Sequence, residues 1–102
     1  MAKIEYSENL VKAFSDLLCE ERKKRTLSQL ELAKKSGLTR QCISLFETCQ
    51  RIPTFFSLLN LAKGFDIPVA KLVSLFMKKL EFYEQQEKRL LAAKNKKSNK
   101  WF

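Results

Sequence analysis

The sequence has no histidine, which removes the side chain that most often serves as a general base and as a zinc ligand. Neither catalysis nor a metal site is expected, and no cofactor is implied. Glycine and proline occur twice each, too rarely for a turn-rich sandwich or a flexible linker. The three cysteines, Cys19, Cys42 and Cys49, are odd in number and lack CxxC spacing, so no disulfide framework or zinc knuckle follows from them. A reducing compartment suits them. Nowhere do eighteen apolar residues run together, and the first nine residues alternate polar and apolar without a secretion-signal pattern. A cytoplasmic protein with no membrane span is expected.

Acidic residues are scarce as well: eleven against twenty Lys and Arg, a formal charge of +9. A polyanion is the partner such a balance fits, and phosphate backbones fit best. The excess is uneven. Residues 1–77 carry +4 and the much shorter stretch 78–102 carries +5. With 102 residues, 45% of them hydrophobic, the chain has room for one core and one appended element.

Leu10, Phe14, Leu17 and Leu18 repeat at helical spacing and predict a first helix over about 9–24. Its last turn holds the run Arg22 to Arg25, which suits the negative end of a helix dipole better than a targeting patch. Ser28 followed by Glu31 is a capping box, with Leu27 and Leu32 placed as a hydrophobic staple, so a second helix starts there. Gly37 ends it, because glycine takes the left-handed conformation without steric cost. Thr39 caps a third helix over about 40–47, with Leu38 and Ile43 repeating the staple. After Pro53 a fourth helix runs over about 55–64, with Phe55, Leu58, Leu59 and Ala62 as its buried face and the Phe55–Phe56 pair as core. Asp66 tolerates a positive φ at its end. Pro68 opens a fifth helix, whose apolar positions run from Leu72 to Leu91, about 25 residues or roughly 37 Å. The Lys/Asn run from Lys94 to Lys100 reads as frayed, and the Trp101–Phe102 pair has nothing to pack on if it is. Cys19 is expected to be buried.

Two short helices joined by a three-residue, glycine-containing turn have the geometry of a helix-turn-helix. The stretch LSQLELAKKSGLTRQCISLFE, residues 27–47, resembles the lambda-repressor-like, Cro and Xre-type family, and the likeness extends loosely from Leu18 to Val73. It rests on Gln29, Leu32-Ala33, Gly37, Ile43, Glu47 and Pro53. The resemblance implies an all-α, five-helix domain, placed over 1–77; residues 78–102 exceed the minimal family domain and read as a helical extension with a basic tail. It also implies an Arg22–Glu47 ion pair that fixes the reading helix.

By the same resemblance, Gln29 holds a phosphate, while Arg40, Gln41, Ser44 and Leu45 face the groove. Arg forks onto guanine and Gln onto adenine; Leu45 either touches a thymine methyl or packs in the core. Thr39 and Arg51 flank the reading helix as phosphate contacts. Cys49 stands where many members have glycine, so either the backbone differs there or a residue with a side chain accepts an uncommon conformation. Cys42, near a helix start, is also open to a redox role.

The extension admits three readings: pairing with the same helix of a second subunit, folding back on its own domain, or lying on an anionic membrane. Pairing leads, through Phe76, Leu80, Tyr83 and Leu90, because two-fold partners suit palindromic sites. The expectation is a bacterial or phage regulator that binds double-stranded DNA as a homodimer, without a small-molecule ligand. It resembles the controller proteins of restriction-modification systems and small phage repressors. A DNA-binding antitoxin, or an interaction module that binds nucleic acid without reading sequence, are the alternatives.

Overall fold

The computed structural model describes residues 8–99, with side chains described as far as Ala93. Among the described residues there are five helices and no strand: α1 (Glu8–Lys24), α2 (Gln29–Ser36), α3 (Arg40–Glu47), α4 (Phe55–Gly64) and α5 (Val69–Asn99). The fold is the all-α, five-helix arrangement with a long last helix. No helix among the described residues is long and apolar enough to cross a membrane, and none of their His, Cys, Asp and Glu groups could hold a metal ion.

The starts of α2, α3 and α4 are each set by a short polar side chain. Ser28 accepts from the Glu31 amide while the Glu31 carboxylate accepts from the Ser28 amide, both at 3.0 Å. Those two bonds satisfy donors that a helix start otherwise leaves unpaired. The Ser28 backbone, and after it the Ser28 hydroxyl, hold the Glu31 carboxyl below its usual value. Thr39 and Thr54 cap α3 and α4 by accepting from Cys42 and Ser57.

The helix ends divide into two kinds. α2 stops at Gly37, φ +75°, as glycine allows. Thr26, Cys49 and Asp66, just past α1, α3 and α4, take φ of 53°, 61° and 58° despite their side chains. At all three the next residue's amide reaches back to close the turn: Leu27 to Arg22, Gln50 to Leu45 and Ile67 to Ala62, at 2.9 to 3.1 Å. This closing bond offsets a conformation that L-residues otherwise avoid. Of the two outcomes left open at Cys49, the second is the one found.

The core gathers Phe14, Leu17 and Leu18 of α1, Leu32 and Ala33 of α2, Ile43 and Phe46 of α3, Leu61 and Ala62 of α4, Phe65 just after it, and Leu72 of α5. Phe14 is its hub, meeting Phe46 edge-on at 5.5 Å and Phe76 at 6.1 Å. Cys19 is only partly buried.

The predicted buried face of α4 needs correcting. Phe55, Phe56 and Leu59 are exposed, at 64%, 77% and 39%, and the inward stripe is Leu58, Leu61, Ala62 and Phe65. Both stripes have helical spacing, and packing against α2 decides between them. A Cβ on Gly64 would lie 3.0 Å from the Ser36 Cβ, so α4 turns its bare glycine to α2 and rolls Phe55 and Leu59 outward.

α5 is longer than expected, 31 residues or about 46 Å at the rise of an α-helix. It remains helical through Asn99, across most of the run read as frayed, because no glycine or proline interrupts Leu90 to Asn99. Lys100 and the Trp101–Phe102 pair lie outside the described residues. α5 passes residue 77 without a break and lies antiparallel along α1: Lys79 pairs with Glu20 at 2.6 Å, Tyr83 donates to Asp16, and Asn9 donates to Glu87 at 2.6 Å. The Lys12 ammonium lies 5.3 Å from the Tyr83 ring centre.

Candidate nucleic-acid interface

The centre of this region is one carboxylate. Glu47, at the end of α3, accepts from Arg22 Nε at 2.7 Å and from Arg22 Nη2 at 3.0 Å. It takes a third bond from Gln29 Nε2 at 3.1 Å. The same Arg22 also donates to the Leu27 carbonyl at 2.7 Å, and Ser15 donates to the Glu47 carbonyl at 2.5 Å. Thus α1, the α1–α2 turn and the first residue of α2 are all tied to the last residue of α3. The side chains of Arg22 and Glu47 keep only 12% and 7% of their exposure. A two-toothed guanidinium fork fixes angle as well as distance, which a single ammonium does not. The hydrogen bond to Glu47 outweighs burial and raises the Arg22 pKa above its ordinary value.

Held this way, α3 buries Ile43 and Phe46 and turns its opposite side outward. Arg40 and Gln41, in its first turn, are exposed, while Ser44 and Leu45 are half-buried. Leu45 is therefore neither sealed in the core nor fully free. Among the described residues Arg40 and Arg51 have no ion-pair or hydrogen-bond partner, so two cations flank the outward face unneutralised. Thr39 spends its hydroxyl oxygen on the α3 cap. Gln29, at the start of α2, has one amide hydrogen on Glu47 and keeps its carbonyl oxygen.

Two residues absent from the sequence reading join this face. Thr48 is exposed seven positions after Gln41, on the same side of the helix, and donates to the Ser44 carbonyl at 2.8 Å. Gln50 in turn donates to the Thr48 hydroxyl at 3.0 Å. The heptad spacing from Gln41 was the available signal for Thr48.

The extension residues are placed differently. Phe76 packs on Phe14 and Tyr83 donates to Asp16, so both are used within the chain; Leu80 is half-buried and Leu90 is 66% exposed. Among the described residues, the large apolar side chains left open on the α4–α5 pair are Phe55, Phe56 and Leu59 on α4, and Val73 and Met77 on the early part of α5, with Phe82, Leu90 and Leu91 further along it.

Comparison with known proteins agrees with this geometry. No curated protein matches the sequence. Among solved structures, the restriction-modification controller protein C.Esp1396I superimposes with a TM-score of 0.65 at 28% identity, over 74% of this chain and 95% of that one. The same controller, solved as a tetramer in complex with its natural 35 base-pair operator, gives 0.66 at 28% identity, over 74% and 97%. The controller protein C.AhdI from Aeromonas hydrophila gives 0.58 at 35% identity, over 61% and 94%. The clp gene regulator ClgR from Corynebacterium glutamicum shares the fold, with a TM-score of 0.70 at 18% identity over 81% of this chain and 88% of that one. The helix-turn-helix family model matches residues 20–72, just over half of the chain and the whole stretch from the Arg22 fork to Leu72, and the chain belongs to that lambda-repressor-like family.

Proposed function

We propose that this protein is a sequence-specific DNA-binding transcriptional regulator, of the restriction-modification controller kind, that acts as a homodimer on a two-fold operator. The observation that carries the reading is the Arg22–Glu47–Gln29 knot, which fixes α3 while Arg40 and Gln41 stand exposed at its leading end. In this reading Arg40, Gln41, Ser44 and Leu45 face base edges and Thr48 closes the face. Gln29, Thr39 and Arg51 grip phosphate and set register without reading sequence. The relatives in the controller group, one of them solved on its operator, support the class. No catalytic step is part of the proposal, and the setting is the cytoplasm of a bacterial or phage-infected cell.

The second subunit is assigned to the exposed α4–α5 face, Phe55, Phe56, Leu59, Val73 and Met77, rather than to Phe76 and Tyr83, which are partly buried in contacts with Phe14 and Asp16 of α1. Large apolar side chains open on two adjacent helices are the usual mark of a protein contact. Two reading heads then add their binding energies.

Selection of bound duplexes from a random pool tests the reading. A palindromic half-site should emerge, preferred over unrelated duplexes by about a thousandfold or more. Arg40→Ala should relax the choice of base at one position by roughly 1–3 kcal/mol, while Arg51→Ala weakens all sequences alike. Equal affinity for every duplex, falling uniformly with salt, would leave a non-specific nucleic-acid binder instead.

A further inference from the structure

The loop between α3 and α4 roofs a cleft. Beneath Arg51, Ile52 and Pro53 lies a hollow of about 190 Å³, walled by Val11 and Phe14 of α1, Leu58 of α4 and Phe76 of α5. Its walls are aliphatic and aromatic, and Arg51 is the one charged side chain on its lining among the described residues. A shallower basin shares Val11, Arg51, Ile52 and Pro53 and adds Cys49, Gln50 and Thr54, so the hollow opens along the α3–α4 loop as far as the start of α4. Thr54 caps that helix through Ser57, and the amides of its first turn have no acceptor inside the helix.

An apolar chamber with a cation and a helix start at its mouth fits an amphipathic anion. The aromatic walls take a ring, and the guanidinium, unpaired among the described residues, takes a carboxylate in fork geometry. Size narrows the class, since an apolar cavity of about 150 Å³ accommodates benzene. The larger space here holds one aromatic ring and a short linker. We propose that this cleft binds a small arylalkanoate, with its ring against the wall that Phe14 and Phe76 form together and its carboxylate on Arg51.

Occupancy has a consequence for the nucleic-acid face. A carboxylate forked on Arg51 within the cleft neutralises the guanidinium and draws it away from a phosphate outside, so the ligand opposes operator binding. That consequence rests on the DNA-binding reading; binding of the anion itself does not.

The test uses the full chain, titrated with 3-phenylpropionate and followed by amide chemical shifts. The neutral 3-phenylpropan-1-ol and acetate serve as ring-only and headgroup-only counterparts. Saturable shifts around Val11, Ile52 and Leu58 are expected, with the alcohol and acetate each at least about tenfold weaker, the loss of one charge-assisted contact or of the ring. Arg51→Gln should weaken the acid by about tenfold and leave the alcohol unchanged. Val11→Phe, which fills the chamber, should abolish binding and make operator affinity insensitive to the acid. The acid–alcohol comparison on the unaltered chain decides the matter even where Val11→Phe does not fold. No saturable shift, equal binding of acid and alcohol, or shifts elsewhere on the molecule would overturn the proposal. Loss of the operator effect alone, with binding intact, would count against Arg51 as a phosphate contact and not against the cleft.

Discussion

The end of the molecule around Glu47 and the stretch of α5 beyond Phe76 are both fastened to α1 by polar bonds, yet the bonds differ in kind. Around Glu47 they are nearly sealed, with Arg22 and Glu47 retaining 12% and 7% of their side-chain exposure, and they close over a core of Phe14, Ile43 and Phe46. Along the extension, Lys79 meets a Glu20 that is 61% exposed, and Asn9 meets Glu87 at the surface. Water competes for the second set and hardly for the first. The same chemistry therefore makes a rigid mount at one end and a loosely fastened arm at the other.

The largest effect that separates the two is Glu47→Ala. It leaves the largely buried Arg22 without its fork and frees Gln29, and should cost about 3 kcal/mol in denaturant unfolding. That corresponds to a fall in melting midpoint of at least about 12 °C for a chain of this size. A loss below about 1 kcal/mol would break the comparison, since the mount would then be no firmer than the arm. Next comes Ser28→Ala, which removes half of the capping box and should cost about 1 kcal/mol by the same measurement.

A smaller effect of opposite sign is expected at Cys49→Gly. Glycine relieves the left-handed strain but loosens the unfolded chain, for a net gain of about 0.5 kcal/mol. A loss on this substitution would show that the thiol makes contacts worth more than the strain.

The weakest effect should come from the arm. Donation to Asp16 pushes the Tyr83 pKa from 10.0 up to about 12. Because the folded value is raised, this contribution is whole below pH 10 and lost as pH climbs through about 12. A phenolate absorbance titration should therefore show a delayed component that vanishes in Tyr83→Phe. That variant should lose only a few tenths of a kcal/mol in stability. A loss matching that of Glu47→Ala would mean that the arm is part of the core.

Much of the first three helices was legible because their signals are local. Ser28 with Glu31, Thr39 and Gly37 announce boundaries within a few residues, and the Arg22–Glu47 pairing came with a recognisable motif. The facing of α4 was not legible, since Phe55-Leu58-Leu59-Ala62 and Leu58-Leu61-Ala62-Phe65 are the same period shifted by three residues, a rotation of only about 60° around the helix. What separates them is the close approach of Gly64 to Ser36, a contact between helices that no window on either one contains. The course of α5 was hidden for the same reason. Tyr83 and Asp16 lie 67 positions apart, and a tyrosine among lysines and glutamates carries no mark of which distant carboxylate it will find.

Glu47 also has a reach beyond its own energy. On a duplex, a phosphate drawn to the start of α2 would contend with it for the Gln29 amide, and any yielding there would be felt at once by the rod that ends in Glu47. In the proposed DNA-binding reading, grasping the backbone and aiming the reader would then be a single mechanical event, as in a clutch whose plates share one pin.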